Sequence, residues 1–222
     1  MFDGKLKAVT FSYDDGVKQD VRLIELLNKY GLKCTFNLNS ELLGKRETKV
    51  TSECVREIYE GHEVAVHTLT HPNLCSLEGL EVIRQVEQDR INLEELVGYP
   101  VRGLAYPGGS VDKRVSDIIR NHTKIEYCRT VVNTDSFDLQ GDLYNFKPNV
   151  YHIMEPERLF HIAERFLNVV SEKPQILYVW GHAYEMDRTD TWNMLEDFFR
   201  LISGHSDIFY GTNAEVLLGG DK

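Results

Sequence analysis

Apolar residues recur along this chain with two alternating periods. Short runs, continuous or of period two, occur at 6–13 (LKAVTFSY), 34–38 (CTFNL), 63–67 (EVAVH), 102–106 (RGLAY), 126–132 (EYCRTVV), 175–180 (QILYVW) and 207–211 (DIFYG). Each has the length and composition of a buried strand. Between them, apolar positions recur every three or four residues, predicting helices over 18–30, 52–60, 76–97, 112–121, 156–171 and 187–203. A glycine follows four of these stretches directly (Gly31, Gly61, Gly98, Gly204), as expected of a helix C-terminal stop, and Pro156 suits the first turn of its helix. Seven strands alternating with helices predict an α/β fold built on a parallel sheet, open or closed. No linker or shift of composition divides the chain, so residues 1–222 are expected to form a single domain. The stretch 133–150, rich in Asn, Asp, Gly and Pro, reads as one long loop.

The polar residues change the picture by where they fall. Asp14-Asp15-Gly16 follows the first strand, His67 and His71 the third, and Pro107-Gly108-Gly109 the fourth. Asp135 and Asp138 follow the fifth strand, and Gly181-His182 the sixth. All lie after strand C-termini, the end where α/β barrels build their active sites, and stability alone does not demand that clustering. His67 and His71 are spaced i, i+4, which places two imidazoles on one side of a helical turn; Pro72 limits such a helix, so a tight loop is the alternative. Two neutral imidazoles and one carboxylate, Asp15, make a sufficient ligand set with positions left open for water and substrate. The adjacent Asp14 is then placed to act as a general base. His182 can protonate a leaving nitrogen, with Asp138 as the carboxylate that orients and charges the imidazole. His62, His122, His152, His161 and His205 have no evident partner and read as structural or surface residues. Tyr184, Trp192, Phe198 and Phe199 read as core or groove lining.

Composition narrows the classes further. With 25 Lys and Arg against 35 Asp and Glu, the formal charge is −10, which disfavours nucleic acid as a partner. No run approaches the roughly 20 apolar residues that cross a bilayer. The opening Met-Phe-Asp-Gly-Lys does not resemble an export signal, so a cytoplasmic location and no membrane partner are expected. Cys34, Cys54, Cys75 and Cys128 form no CxxC pair and are expected to be reduced. The absence of GxGxxG, GxxxxGK[ST] and GxSxG argues against dinucleotide, nucleotide and serine-hydrolase chemistry.

Five segments in order, FSYDDG (11–16), HTLTH (67–71), LAYPGG (104–109), DSFDL (135–139) and WGH (180–182), resemble the motifs of the polysaccharide deacetylase family, the NodB-homology or carbohydrate esterase family 4 domain. The resemblance implies a distorted (β/α)7 barrel and a divalent metal, commonly Zn2+, on Asp15, His67 and His71. It implies Asp14 as general base, His182 as general acid, and the backbone N–H of Gly108, preceded by Tyr106 and Pro107 at the same oxyanion and substrate site. The implied reaction is metal-dependent hydrolysis of an N-acetyl group on an amino sugar, oligosaccharide or related glycan, releasing acetate. Two readings stand beside it, a C–N hydrolase for a small non-sugar amide and a catalytically lapsed carbohydrate-binding barrel. Two positions depart from the family pattern. Ala105 replaces the arginine that pairs with the base, with Arg102 three residues earlier, and Leu139 replaces a tryptophan after Asp138.

Overall fold

A computed structural model describes residues 2–153 and 156–219; the rest of the expected 1–222 unit lies outside the described residues. The strands are β1 (Lys7–Asp14), β2 (Cys34–Leu38), β3 (Glu63–Val66), β4 (Gly103–Ala105), β5 (Tyr127–Arg129), β6 (Val150–Tyr151), β7 (Gln175–Gly181) and β8 (Ile208–Tyr210). Every strand pairing is parallel, in the order β5-β4-β3-β2-β1-β7-β6, with β8 beside β1. β1 uses both edges fully. β7 runs along one, while β8 holds the first half of the other and β2 the second. Seven of the strands are those the apolar runs predict. The eighth, β6, comes from the end of the stretch read as a loop.

That short strand matters because it joins the two ends of the curled sheet. Phe146 exchanges backbone hydrogen bonds with Cys128 and Thr130 on the β5 side, and three residues later the Asn149 N–H donates to the Tyr178 carbonyl on β7. Val150 and Tyr151 then pair with Val179 and Trp180. Residues 146–151 thus carry hydrogen bonds from one edge to the other. The result is a distorted, mostly parallel barrel of the (β/α)7 type, as expected.

The helices pack outside this sheet through the apolar stripes that predict them. They are α1 (Asp20–Lys29), α2 (Val55–Ile58), α3 (Gly79–Val97), α4 (Lys113–His122), α5 (Pro156–Leu167), α6 (Tyr184–Thr189), α7 (Trp192–Ile202) and α8 (Asn213–Leu217). In α5, Leu159, Ile162, Ala163 and Phe166 face inward, and in α7 Trp192, Leu195, Phe198, Phe199 and Ile202 do. The Asp112 side chain caps α4 by accepting from the Val115 N–H at 2.7 Å. One prediction needs correction. The stretch 187–203 is two helices, because Asp190 takes a left-handed conformation (φ 53°) that ends α6, and α6 begins earlier, just past His182. All four cysteines are free thiols, and no helix among the described residues is long and apolar enough to cross a membrane.

Candidate active site

Parallel strands place their C-terminal ends on one face, and there β1, β3, β5, β6 and β7 deliver their polar residues. Asp15, His67 and His71 each bring one ligand atom within 4.8 Å of the others. The His67–His71 segment is an irregular loop, the alternative that Pro72 leaves open, and its rings stand 4.8 Å apart. Asp15, Thr68 and His71 all adopt positive φ (84°, 67° and 59°), a conformation costly for residues with a Cβ and held only where surroundings over-determine it. Those surroundings are visible. Asn39 donates to the His67 and Thr68 carbonyls, Asp89 accepts from the His67 and Ser40 N–H groups, and the Thr68 hydroxyl accepts from the His71 N–H. His67 Nδ1 lies 2.8 Å from the Ala105 carbonyl, so it carries the proton and leaves the Nε2 lone pair available to a metal ion. Burial pushes the His67 imidazole down to about 4, keeping it neutral at pH 7 as a metal ligand requires. The three residues fit a divalent ion in geometry and in the chemistry of their donors.

Asp14 sits beneath this triad, buried, with Oδ2 3.9 Å from His67 Nε2. Its cationic partner is Arg129, at the end of β5, whose guanidinium donates to Oδ2 at 2.5 Å, while Asn37 donates to Oδ1 at 2.8 Å. Burial alone would raise the Asp14 carboxyl, but the charge of Arg129, helped by His67 and His182, holds it below its ordinary value. The substitution at 105 therefore does not leave Asp14 unpaired. Ala105 and Arg129 are register partners on adjacent strands, so the arginine reaches the same place from one strand over. Arg102 plays no part here; it pairs with Glu126 at the far end of β4 and β5. The Trp180 ring lies 4.5 Å from the Arg129 guanidinium and stacks on Tyr151, supplying from β7 an indole that the Leu139 position lacks.

His182 follows β7, and its carboxylate partner is Glu185 in the first turn of α6. Glu185 Oε2 lies 3.3 Å from His182 Nδ1 and 3.0 Å from His152 Nε2, and the Tyr151 hydroxyl donates to Oε1. Burial works against a charged His182, yet the Glu185 hydrogen bond, with the charges of Asp14 and Asp15, raises the imidazole above its ordinary value. Glu185 is held below its own, its burial outweighed by bonds from His152, His182 and Tyr151. His152 is also more than structural filling. It is buried, bonds to Tyr13 and Glu185, and packs so closely on Gly181 that a Cβ there would fall 2.0 Å from the ring.

Three sequence-level site residues sit elsewhere. Asp138 does not touch His182; it bridges to Gln175 at the start of β7, and its carboxylate accepts from the Gln175 side chain. The loop carrying it runs back to the opposite end of the sheet, about 20 Å from His182 by strand rise. Tyr106 is buried, with its hydroxyl on the Tyr144 carbonyl and its N–H on the Arg129 carbonyl, so it offers nothing to a substrate. Pro107 is likewise buried. Gly108, at φ 55°, lies in the turn after β4, and its N–H has no acceptor among the described residues. Arg129, Asn37, Glu185 and His152 escape sequence reasoning. Of these, Glu185 had a usable signal, its i, i+3 spacing from His182.

Residues 3–124, more than half of the chain, match the family model for polysaccharide deacetylase. A peptidoglycan-N-acetylglucosamine deacetylase of Listeria monocytogenes is 28% identical over 115 residues, 51% of this chain and 24% of that protein. A chitin deacetylase of Cryptococcus neoformans is 28% identical over 144 residues, 64% of this chain and 28% of that protein. The chain thus spans about a quarter of the length of these curated relatives. Among solved structures, a Mycobacterium smegmatis protein assigned to the polysaccharide deacetylases superposes with a TM-score of 0.74 at 17% identity, covering 97% of this chain and 90% of that one. A CE4 family pseudoenzyme from Bacillus anthracis gives 0.58 at 20% identity, covering 98% and 66%. At these identities the structures speak to fold, and the sequence match speaks to descent: this chain belongs to the polysaccharide deacetylase family.

Proposed function

We propose that the protein is a metal-dependent deacetylase that hydrolyses the N-acetyl group of an amino sugar, oligosaccharide or related glycan and releases acetate. The observation that carries this reading is the seating of Asp14, paired with Arg129, directly under the Asp15–His67–His71 triad, with His182, its imidazole raised above the ordinary value, near enough to feel its charge. A divalent ion held by the triad, of which Zn2+ suits the donors best, supplies Lewis-acid polarisation of the acetamide carbonyl and of water. The rest falls to the chain's own side chains. Asp14 takes the proton of the attacking water, while Arg129 and Asn37 keep its carboxylate ionised and oriented. The Gly108 N–H is a donor for the carbonyl oxygen as negative charge builds on it. His182, with Nδ1 turned to Glu185, delivers a proton from Nε2 to the leaving nitrogen, so the C–N bond breaks to an amine and acetate. The relatives named for peptidoglycan and chitin support a glycan as the substrate.

The test is acetate release from N-acetylhexosamines and chito-oligomers, with metal-loaded and chelated protein side by side. Metal-dependent acetate is expected. Saturable sugar binding without acetate would replace the reading with a binding barrel, and an amine from a non-sugar amide alone would move it to a different C–N hydrolase. His71→Ala is expected to lose the metal on gel filtration, since it removes one of three ligands without disturbing buried packing; a stoichiometric ion in that variant would remove His71 from the set. The pH profile gives a further check. His182 acts in its protonated form, and its pKa is raised by Glu185, so activity is expected to fall as pH rises through that raised value. Glu185→Gln removes the charge that raises it, and its alkaline limb should shift to lower pH; an unmoved limb would dissociate Glu185 from the acid.

A further inference from the structure

Glu185 serves two imidazoles with one oxygen. Its Oε2 lies 3.0 Å from His152 Nε2, 3.2 Å from the His182 backbone nitrogen and 3.3 Å from His182 Nδ1. A carboxylate oxygen offers about two lone-pair sites, so three donors compete there, and the shortest contact belongs to His152. Oε1 is taken by the Tyr151 hydroxyl. The proton on His152 is placed by its two neighbours. Nδ1 lies 3.2 Å from the Tyr13 hydroxyl, and burial raises that phenol well above its ordinary value, so the phenol keeps its proton and donates. Nδ1 therefore accepts, Nε2 carries the ring proton, and burial lowers His152 so that the ring stays neutral. The backbone fixes the ring as well. The His152 N–H donates to the Trp180 carbonyl, and glycine at 181 is what admits the imidazole against β7.

We propose that His152 is a positioning residue for His182: its Nε2–H occupies Glu185 Oε2 and limits how tightly that carboxylate holds the His182 proton. The proposal rests on the deacetylase reading and adds to it a control on the strength of the acid. Burial works against a charged His182 and Glu185 overcomes it, but an imidazolium held too firmly gives up its proton less readily. A neutral donor on the same oxygen takes up part of the negative charge without adding a positive one. The other groups facing His182 are Asp14 and Asp15 from the end of β1, Tyr151 from β6, and Tyr184 from α6 with Arg188 over its ring. Those facing His152 besides Glu185 are Tyr13, Tyr151 and His182. All of them stay when His152 is replaced, and a divalent ion on the triad acts alike in every variant. A shift between variants therefore reads Oε2.

The experiment follows the His182 ring by NMR titration of zinc-loaded protein, its signal assigned by its loss in His182→Asn, with acetate release measured against pH in parallel. His152→Asn keeps a polar group at the Nδ1 position but is too short to reach Oε2. It is expected to raise the His182 midpoint by about 0.5–1 pH unit, the scale on which one hydrogen bond moves a titrating group, and to carry the alkaline limb with it. His152→Gln sets its side-chain N–H where Nε2 stood, and is expected to restore the wild-type midpoint. If His152 only steadied Glu185, its loss would lower the midpoint, the direction expected of Glu185→Gln. A lowered or unmoved midpoint in His152→Asn, shown to be folded by circular dichroism, would overturn the proposal, and so would an equal rise in His152→Gln. The wild type gives a test that needs no variant. Its nitrogen NMR spectrum is expected to show His152 neutral with the proton on Nε2 across the active pH range, and a proton on Nδ1 would overturn the proposal. A raised His182 midpoint without acetate from any N-acetylated sugar would instead sink the deacetylase reading and leave the hold of His152 on Oε2 standing.

Discussion

Asp14→Asn is expected to retain the metal, keep the fold and lose acetate release by about 10²–10⁴-fold, the range general-base catalysis contributes. The reasoning is local. Asparagine matches aspartate in shape but keeps a single acceptor oxygen, so either Arg129 or Asn37 loses its partner, and it cannot accept the proton of the attacking water. Asp15, His67 and His71 are untouched, and metal content measured by atomic absorption should match the wild type. The substitution also strands the buried Arg129 charge, so the activity assay needs circular dichroism beside it to establish that the protein assayed is folded. A folded, metal-replete Asp14→Asn protein with a near-normal rate would remove Asp14 from the base role.

The second large effect is on stability. Arg129 is 1% exposed and ends in a salt bridge with Asp14, itself buried at 3% exposed. Its Nε and Nη1 have no partner among the described residues, so the carboxylate and the Trp180 face are what compensate its desolvation. Arg129→Met is expected to cost about 3–5 kcal/mol in urea unfolding, because breaking one side of a buried pair leaves the other charge uncompensated. Asp14 would then shift towards its protonated form and activity would fall with stability. The double variant Asp14→Asn/Arg129→Met is expected to recover much of the lost stability but none of the activity, since removing both charges leaves no uncompensated one. Stabilities that simply add in the double variant would show the pair to be uncoupled.

This pair also explains why the partner of Asp14 was not legible in the sequence. At 105, where the family has arginine, the chain has alanine, and a linear reading looks for compensation nearby, at Arg102. A parallel sheet compensates sideways. Residues in register on neighbouring strands stand side by side and face the same way, so Arg129 occupies the space that a longer side chain at 105 would fill. Nothing in the spacing of residues 105 and 129 announces this, because register is fixed by how whole strands pack. The carboxylate partner of His182 was missed for a different reason. Asp138 is the motif's aspartate, but the chain after β5 turns back along the sheet before β6, and that reversal takes Asp138 to the wrong end of β7. Glu185 takes the place because α6 starts directly after His182, one turn earlier than the apolar period suggested.

By itself the sequence determined the alternation of strands and helices, seven of the eight strands, and the placing of Asp14, Asp15, His67, His71 and His182 at strand ends. These are local matters, set by side-chain periodicity and by which residues border each apolar run. The tertiary structure alone decided the closing strand at 146–151, the partners Arg129, Asn37, Glu185 and His152, and the exile of Asp138 and Tyr106 from the site. Each of these depends on which strand lies beside which, and in what register. That is settled by packing the whole sheet and leaves no mark in the local spacing of residues.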